Sequence, residues 1–371
     1  MNRFLPGIAA LMLLAGPAYS QKSTVQTDAG SIKVETLAEN LKHPWGMAFL
    51  PDKRLLVTER TGNLRILDEN KKLSEPITGT PRVFNTGQGG LLDVALDPDF
   101  AQNSYVYLSF SEPGEDSTAS TALGRGKLEG NAIKNFEVIF RQEPKVKGPN
   151  HFGGRILFSP EGHLVLTLAE RFKFDPAQDL SNHLGTIVRL NPDGTIPNDN
   201  PFVDKDNAKD EIWSYGHRNI ESAAFDPSTG QLWVAEMGPL GGDELNQPVA
   251  GRNYGWPVVS WGKHYDGRDI PDPDTRPEFA DAVIKWTPTI SPSGMIFYTG
   301  SMFPAWKNHA LIGGLTSSGL VRVEVNGEQA KEVERIPLTV RARDVEQAPD
   351  GSIYVLTDNE NGKLLRLHLL E

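Results

Sequence analysis

The sequence has 371 residues, a formal net charge of −11 and no cysteine. Without cysteine, disulfides, thiolate metal sites and cysteine nucleophiles are excluded. The acidic balance disfavours nucleic acids and anionic membrane surfaces as partners, since both are bound by basic patches. With 36 glycines and 27 prolines, the composition is typical of a loop-rich globular protein.

The N-terminal segment has the pattern of a secretory signal peptide. Arg3 precedes a short apolar run, Ile8–Ala15, and the small-x-small pattern Ala18-Tyr-Ser20 follows. The run is too short to cross a bilayer, and no later segment is apolar enough to do so. We therefore predict a signal peptide at residues 1–20 and no membrane span. An exported chain free of cysteine suits the bacterial periplasm, where we expect the mature chain, residues 21–371.

The rest of the sequence repeats one unit six times. Each copy is an apolar strand, a proline-centred turn and a second apolar strand, and the turn prolines stand at positions 51, 98, 160, 227, 304 and 349. A period of about 45 residues with loop insertions is typical of β-propeller blades. We therefore predict an all-β fold, one six-bladed β-propeller domain, whose copies are Trp45–Thr58, Leu91–Phe110, Gly154–Thr167, Ser222–Ala235, Ser293–Gly314 and Asp344–Thr357.

Two further expectations follow from a propeller. Its ring is normally latched by strands from both ends of the chain, so we expect Ser31–Leu37 to pair beside Lys363–Leu369. The long insertions should gather on one face, where loops build sites; they are residues 145–151, 171–184 and 258–290.

Polar side chains precede the first strand of four blades. Gln88 lies in a glycine run before the second blade, His151 before the third, Arg218 and Asn219 before the fourth, and Arg341 with Arg343 before the sixth. Because these positions are equivalent, propeller geometry should bring them to one face around the central channel. Strand alternation should also point the last two arginines the same way. Arginine forks suit a planar ligand with carboxylates. A histidine there would be a neutral base near pH 7, although a lone loop histidine is more often only a hydrogen-bonding residue.

A second cluster is rich in oxygen. Asp243 and Glu244 lie near the backbone carbonyls of Gly238 and Pro239, in the turn after the apolar run Gln231–Ala235. Carboxylate and carbonyl oxygens suit a hard cation such as calcium. The alternative is a glycine- and aspartate-rich surface turn with solvated charges.

Taken together, these motifs resemble the soluble quinoprotein glucose/sorbosone dehydrogenases, and within them the periplasmic aldose sugar dehydrogenases. The resemblance covers about residues 40–367 and rests on motifs in the family's order, namely Gly87-Gln-Gly-Gly-Leu-Leu92, Asn150-His-Phe-Gly-Gly-Arg155, Tyr215-Gly-His-Arg-Asn219, Glu236-Met-Gly-Pro239, Asn253-Tyr-Gly-Trp-Pro257 and Arg341-Ala-Arg-Asp-Val345. It implies a six-bladed propeller that binds pyrroloquinoline quinone (PQQ) and calcium and oxidises the anomeric carbon of aldoses to lactones.

The resemblance also implies roles for individual residues. His151 matches the general base, and Arg218 the group that stabilises charge on the quinone oxygen. Four residues match positions that hold the quinone and its three carboxylates: Gln88, Asn219, Arg341 and Arg343. Backbone carbonyls at Gly238 and Pro239 match ligands of the calcium beside the cofactor, and Glu244 and Tyr254 match positions that bind calcium elsewhere in the family.

Three departures from the family pattern bear on cofactor affinity and, to a smaller degree, on activity. Thr316 stands where the glucose enzyme has a lysine that reaches the cofactor. Glu221 places an acid near an anionic cofactor. Asn150 replaces an acidic residue before the base, so we expect a pKa for His151 at or below its usual value.

Two other functions remain open from the sequence. One is a calcium-dependent lactonase, which would need acidic and asparagine ligands at the central channel. The other is a non-enzymatic sugar- or protein-binding propeller. For the dehydrogenase we expect aldose sugars as substrates, an unidentified periplasmic electron acceptor, and either a monomer or a homodimer.

Overall fold

The computed structural model describes residues 23–370, so the predicted signal peptide at residues 1–20 lies outside the described residues. The described part contains 25 β-strands and one α-helix, α1 (Phe100–Asn103). It also contains four 3₁₀ turns, which are Glu115–Ser117, Asp175–Gln178, Pro273–Thr275 and Pro304–Trp306. Within residues 23–370, no helix has the length and apolar character that a membrane crossing requires.

The strands form six sheets arranged as the blades of a propeller, which confirms the predicted fold. The chain begins with β1 (Thr24–Thr27) and β2 (Gly30–Leu41). Blade 1 contains β3 (Pro44–Phe49), β4 (Leu55–Glu59) and β5 (Asn63–Leu67). Blade 2 contains β6 (Leu91–Leu96), β7 (Tyr105–Pro113), β8 (Thr118–Glu129), β9 (Ala132–Arg141) and β10 (Val146–Lys147). Blade 3 contains β11 (Gly153–Phe158), β12 (Leu164–Leu168), β13 (Thr186–Leu190) and β14 (Ile212–Tyr215).

The second half of the ring continues the same antiparallel order. Blade 4 contains β15 (Ile220–Phe225), β16 (Leu232–Glu236), β17 (Asp243–Asn246) and β18 (Ile284–Trp286). Blade 5 contains β19 (Pro292–Phe297), β20 (Ala310–Gly314), β21 (Gly319–Asn326) and β22 (Gln329–Ile336). Blade 6 contains β23 (Ala342–Gln347), β24 (Ile353–Thr357) and β25 (Gly362–Leu369).

Both ends of the described chain close the ring in one sheet. Strand β2 pairs antiparallel with β25, from Ile32 opposite Leu369 to Leu41 opposite Gly362, and β1 adds outside β2. This latch confirms the predicted pairing. It gives the last blade backbone hydrogen bonds from the first strands of the chain, so that the sheet is completed only when both ends are in place.

The first strand of every blade lies at the centre and carries a register shift near its start. The shifts fall after Pro44, Leu91, Gly153, Ile220, Pro292 and Ala342. A β-bulge re-aims side chains and is frequent beside active sites. These bulges contain Asp93, Arg155, Glu221 and Arg343, and hydrogen bonds from Arg155 to Asp93 and to the backbone oxygens of Glu221 and Arg343 join them.

Apolar side chains fill the spaces between neighbouring blades. Between blades 5 and 6, for example, Phe303 and Trp306 stack with ring centroids 4.4 Å apart and both are fully buried. Strands such as β4, β12 and β16 are buried along their whole length, as expected for strands covered on both faces. The core is therefore distributed around the ring. The loops at the two faces of the propeller are not needed for this core and can form a site.

The central channel is lined by the first strands of all six blades and encloses about 530 Å³. Arg155 crosses it: Nη1 lies 2.9 Å from Asp344 and 3.3 Å from Asp93, and the guanidinium stacks on Trp45 at 4.2 Å. Burial raises the pKa of Asp344 to about 7 although Arg155 opposes that shift. Both carboxylates are thus engaged by an arginine.

Candidate active site

Loops that lead into the central strands bring most of the predicted site residues together. Gln88 Oε1 accepts the backbone N–H of His151 at 2.6 Å. Asn219 Oδ1 accepts the backbone N–H of Gly153 at 3.3 Å, and its Nδ2 donates to Glu221 Oε1 at 3.1 Å. Contacts therefore run continuously from the loop of blade 2 to the start of blade 4, at one end of the channel.

His151 is buried and held by a carboxylate. Its Nδ1 bonds to Oε1 of Glu170, and its ring meets Phe172 edge to face at 5.0 Å. The other oxygen of Glu170 accepts the backbone N–H groups of Lys173 and Phe174, at 2.5 and 2.7 Å. Because an ionised carboxylate only accepts hydrogen bonds, the proton of the neutral imidazole lies on Nδ1 and the lone pair on Nε2. Nε2 is thus the nitrogen able to take a proton from a ligand.

Glu170 corrects our expectation about the charge beside the base. We expected no neighbouring acid because Asn150 replaces one, but Glu170 supplies the charge from the other side of the ring. Burial lowers the pKa of His151 below its usual value, and Glu170 partly opposes that shift. The predicted direction of the shift therefore holds, but burial causes it. Antiparallel pairing of Gly153 with Leu168 could have indicated this acid, since it places residues just before β11 beside those just after β12.

Arg218 is fixed by carbonyls and an aromatic residue. Nη1 donates to the backbone oxygens of Met237 and Gly238, each at 2.8 Å, and Nη2 donates to the Tyr265 hydroxyl at 3.0 Å. Its Nε is buried and has no hydrogen-bond partner within residues 23–370. The guanidinium also lies 5.1 Å from the ring of Trp256. Buried N–H groups normally have a hydrogen-bond acceptor, so an anionic or carbonyl ligand would satisfy this one.

Arg341 and Arg343 meet at one carboxylate. Arg341 Nη2 lies 2.8 Å and Arg343 Nη2 3.3 Å from Asp358. The bulge at Arg343 interrupts the alternation on which we based their common direction, and only Arg343 is buried. Glu221 binds Arg343 Nη1 at 2.5 Å, so the acid that departs from the family pattern is paired with a cation. Arg343 Nε remains buried without a partner in the described part of the chain.

Three of the predicted calcium residues line one small cavity. Gly238, Glu244 and Tyr254 surround a space of about 10 Å³, the size of a single water or ion, whereas Pro239 does not line it. Burial and the neighbouring carboxylate of Glu236 raise the pKa of Glu244 to about 8. Burial and the second acid disfavour the ionised form of Glu244, and a cation bound beside it would stabilise that form.

The remaining groups around this cavity are already engaged. The Tyr254 hydroxyl bonds to the backbone of Gln247 and Val249 at 2.8 and 3.1 Å. Asp243 accepts the N–H groups of Gly238 and Ser291, which braces the turn. A Cβ on Gly238 would stand 2.2 Å from a backbone oxygen, so the turn requires glycine. No group of three or more His, Asp or Glu side chains within residues 23–370 is arranged to hold a metal, so a cation here would depend on carbonyl oxygens.

Thr316 lies apart from these contacts. It is exposed, and its hydroxyl bonds to Thr289 and Ser291 at 2.9 and 3.0 Å. The loop therefore contributes no charge from this position.

Several site residues were not predicted from the sequence. Besides Glu170, an aromatic wall flanks His151 and Arg218: Phe172 and Tyr265 are 37% and 60% exposed, and their ring centroids lie 6.2 Å apart. Exposed aromatic faces beside a buried base offer apolar contact to a ligand that is polar at its edges. These residues lie in the long insertions, whose course the repeat pattern does not describe.

Comparisons with known proteins identify the family of the chain. A family model described as Glucose / Sorbosone dehydrogenase matches residues 41–366. The chain belongs to the glucose/sorbosone dehydrogenase family. It is 44% identical over 361 residues to the aldose sugar dehydrogenase YliI of Escherichia coli, across 95% of this chain and 96% of that protein.

Solved structures of the same family share the fold. The soluble aldose sugar dehydrogenase of Escherichia coli in its apo form matches with a TM-score of 0.87 and 43% identity, over 91% of this chain and 99% of that one. The PQQ-bound aldose sugar dehydrogenase of Streptomyces coelicolor matches with a TM-score of 0.73 and 28% identity, over 94% and 100%. The resemblance predicted from the motifs is confirmed.

Proposed function

We propose that this member of the glucose/sorbosone dehydrogenase family oxidises the anomeric carbon of aldoses to the lactone, with PQQ as cofactor and calcium beside it. The observation that carries the proposal is the buried His151–Glu170 pair, which lies close enough to Arg218 for that charge to lower the pKa of His151. Oxidation of an HO–C–H group removes a proton and a hydride. It requires a general base for the proton and a fixed cation that stabilises the developing negative charge, and both lie at one end of the channel.

The residues present fit both groups. Arg218 and Arg343 each keep a buried Nε without a partner within residues 23–370, and both match positions that the resemblance assigns to the quinone. The cavity beside Gly238 and Glu244 has the size for one cation and is lined by the carboxylates of Glu236 and Glu244; Arg218 also lines it and donates to the Gly238 oxygen at 2.8 Å, so a cation would share that oxygen with Arg218. The PQQ-bound Streptomyces structure supports the quinone, and the name of the E. coli relative supports aldoses as substrates.

In this mechanism His151 Nε2 takes the proton of the anomeric hydroxyl. Glu170 stabilises the imidazolium that forms, because its carboxylate binds Nδ1–H. Arg218 directs N–H groups at the place where negative charge develops. Phe172 and Tyr265 border the sugar and limit its access to water. When bound, the quinone supplies the acceptor for the hydride, and calcium acts as a Lewis acid beside it.

We extend the proposal to the cellular setting. The sequence pattern at residues 1–20 favours export to the periplasm, where the electrons would pass to an acceptor that we leave unidentified. A monomer and a homodimer remain equally compatible with this function.

The test is reconstitution followed by loss of the base. The calcium-loaded protein is titrated with PQQ by absorbance, and turnover is then measured with aldoses and an artificial electron acceptor. We expect His151→Gln to bind the cofactor normally, because glutamine keeps a hydrogen-bonding group, but to turn over about 10²–10⁴-fold more slowly. Absence of PQQ binding in the wild type would contradict the proposed function, and a wild-type rate in His151→Gln would contradict the mechanism alone.

A further inference from the structure

Arg60 is a cation without a carboxylate partner in the active-site corner. It follows β4 directly, and its Nη1 donates to the backbone oxygen of Gly87 at 2.5 Å. Its Nε is buried and has no hydrogen-bond partner, and no ion pair joins Arg60 to any acid within residues 23–370. A buried guanidinium N–H normally finds an acceptor, so this one calls for an explanation.

The surroundings of Arg60 are already crowded with charge. Burial and then the positive charge of Arg343 lower the pKa of Arg60, while Asp358 and Glu221 act in the opposite direction. Those two acids are engaged elsewhere, since Glu221 binds Arg343 and Asp358 binds both Arg343 and Arg341. Three arginines therefore share two carboxylates, and the corner has a net positive charge.

Arg60 also contacts the glycine run of blade 2, which leads to His151. The backbone oxygen of Gly87 accepts a hydrogen bond from Arg60 Nη1, and Gly87 is adjacent to Gln88. Gln88 Oε1 in turn accepts the backbone N–H of His151. A Cβ on Gly90 would stand 2.1 Å from the backbone oxygen of Arg60, so the glycine run is packed directly on this residue. The side chain thus lies between the glycine run of blade 2 and the arginines of blade 6.

We propose that Arg60 binds a carboxylate of the cofactor, as a third cation beside Arg341 and Arg343. The inference rests on the proposed function, because the ligand that satisfies it is a quinone with several carboxylates. Its terminal N–H groups that do not bind Gly87 would donate to a carboxylate, and the buried Nε would complete a fork of two hydrogen bonds once binding opens the space beside it. It also supplies a positive charge that Thr316 does not provide.

Direct binding of PQQ to the calcium-loaded protein tests the proposal without turnover. Arg60→Gln removes the charge, but the amide can still donate to Gly87. We expect its Kd for PQQ to rise about 10- to 100-fold, as when one partner of a buried charge pair is removed. Its Kd should also depend less steeply on salt, since one ionic contact is lost. The matched control is Arg54→Gln, an exposed arginine of the same blade paired with Asp52, which should bind as the wild type does.

The outcomes distinguish the role of Arg60 from the proposed function. If the wild type fails to bind PQQ, the proposed function is lost and this inference with it. If the wild type binds and Arg60→Gln binds equally well, only the role of Arg60 is overturned. A weaker Arg60→Gln with an unchanged salt dependence also overturns it, because Arg60 would then only support the loop. If Arg60→Gln does not fold, Arg60→Lys replaces it: its ammonium lacks the fork, so we expect a Kd about 3- to 10-fold higher, and wild-type affinity overturns the proposal.

Discussion

Replacing Glu170 by glutamine tests how the base is held. One oxygen of Glu170 accepts the N–H groups of Lys173 and Phe174, and the other contacts His151 Nδ1. Glutamine has one oxygen and one NH₂ group, so it cannot serve both sides as the carboxylate does. We expect its oxygen to face the two fixed backbone donors and its NH₂ to face Nδ1. Nδ1 then has to accept a hydrogen bond, so the imidazole proton moves to Nε2. With that proton, Nε2 can no longer take one from the sugar.

The magnitude follows from the same contacts. The opposite amide orientation would leave two backbone N–H groups without an acceptor, at a cost of about 1–3 kcal/mol each. The orientation that blocks the base is therefore favoured. Loss of general base catalysis lowers turnover by about 10²–10⁴-fold, and a similar tautomer defect in a serine-protease triad lowers kcat by about 10⁴-fold. We expect Glu170→Gln to lower kcat by about 10³-fold.

The assay compares kcat for aldose oxidation in enzyme saturated with PQQ and calcium. Glu170→Asp is the matched control, because it keeps a group that only accepts hydrogen bonds and should lose much less activity. Cofactor affinity and thermal unfolding should change little in either variant, since Glu170 bonds to Arg218 through its backbone N–H, at 3.0 Å, and both substitutions keep that bond. A Glu170→Gln enzyme that binds PQQ and keeps kcat within tenfold of the wild type would refute this account of the base.

Two further predictions concern the cation and the arginines. Burial and Glu236 raise the pKa of Glu244 to about 8, so if Glu244 binds the proposed calcium in its ionised form, calcium affinity should rise with pH by up to about tenfold per unit between pH 6 and 8. Calorimetry in wild type and Glu244→Gln checks this, and an equal pH dependence in both would exclude Glu244. Arg343→Ala should weaken PQQ binding by about 2 kcal/mol, and Arg341→Ala by less because that side chain is half exposed. A cofactor titration in which neither variant differs from the wild type would place the carboxylates elsewhere.

The repeat made the fold predictable, because each blade buries its own apolar strands. The central and second strands were found as apolar runs on either side of a proline turn, and the latch followed from the closed ring. The fourth strands of blades 4 and 5 were not predicted. β18 has only three residues, and β22 reads Gln329–Ile336 with mostly polar side chains. Strands at the rim pair by backbone hydrogen bonds and bury little, so they leave a weak pattern in the sequence.

The site was predictable only where the repeat applies. Gln88, His151 and Arg218 occupy equivalent positions in their blades, so locating one indicated the others. Glu170 and Arg60 break that rule, since they follow a second strand instead of preceding a first one. Their importance depends on which neighbour their side chains meet across the sheet, and a single sequence does not contain that distance.

The arginine corner also bears on how the cofactor can bind. Burial opposes ionisation of Asp358, yet Arg343 and Arg341 lower its pKa to about 2, which shows how strongly these cations attract a carboxylate. Glu221 already holds Arg343 at 2.5 Å. A cofactor carboxylate that binds these two arginines therefore competes with acids of the protein and gains only the difference between two ion pairs. Arg60 has no such competitor within residues 23–370, so contact with it adds attraction without breaking an existing pair. For that reason affinity should depend on Arg60 as much as on Arg341, although only Arg341 could be assigned from its sequence motif.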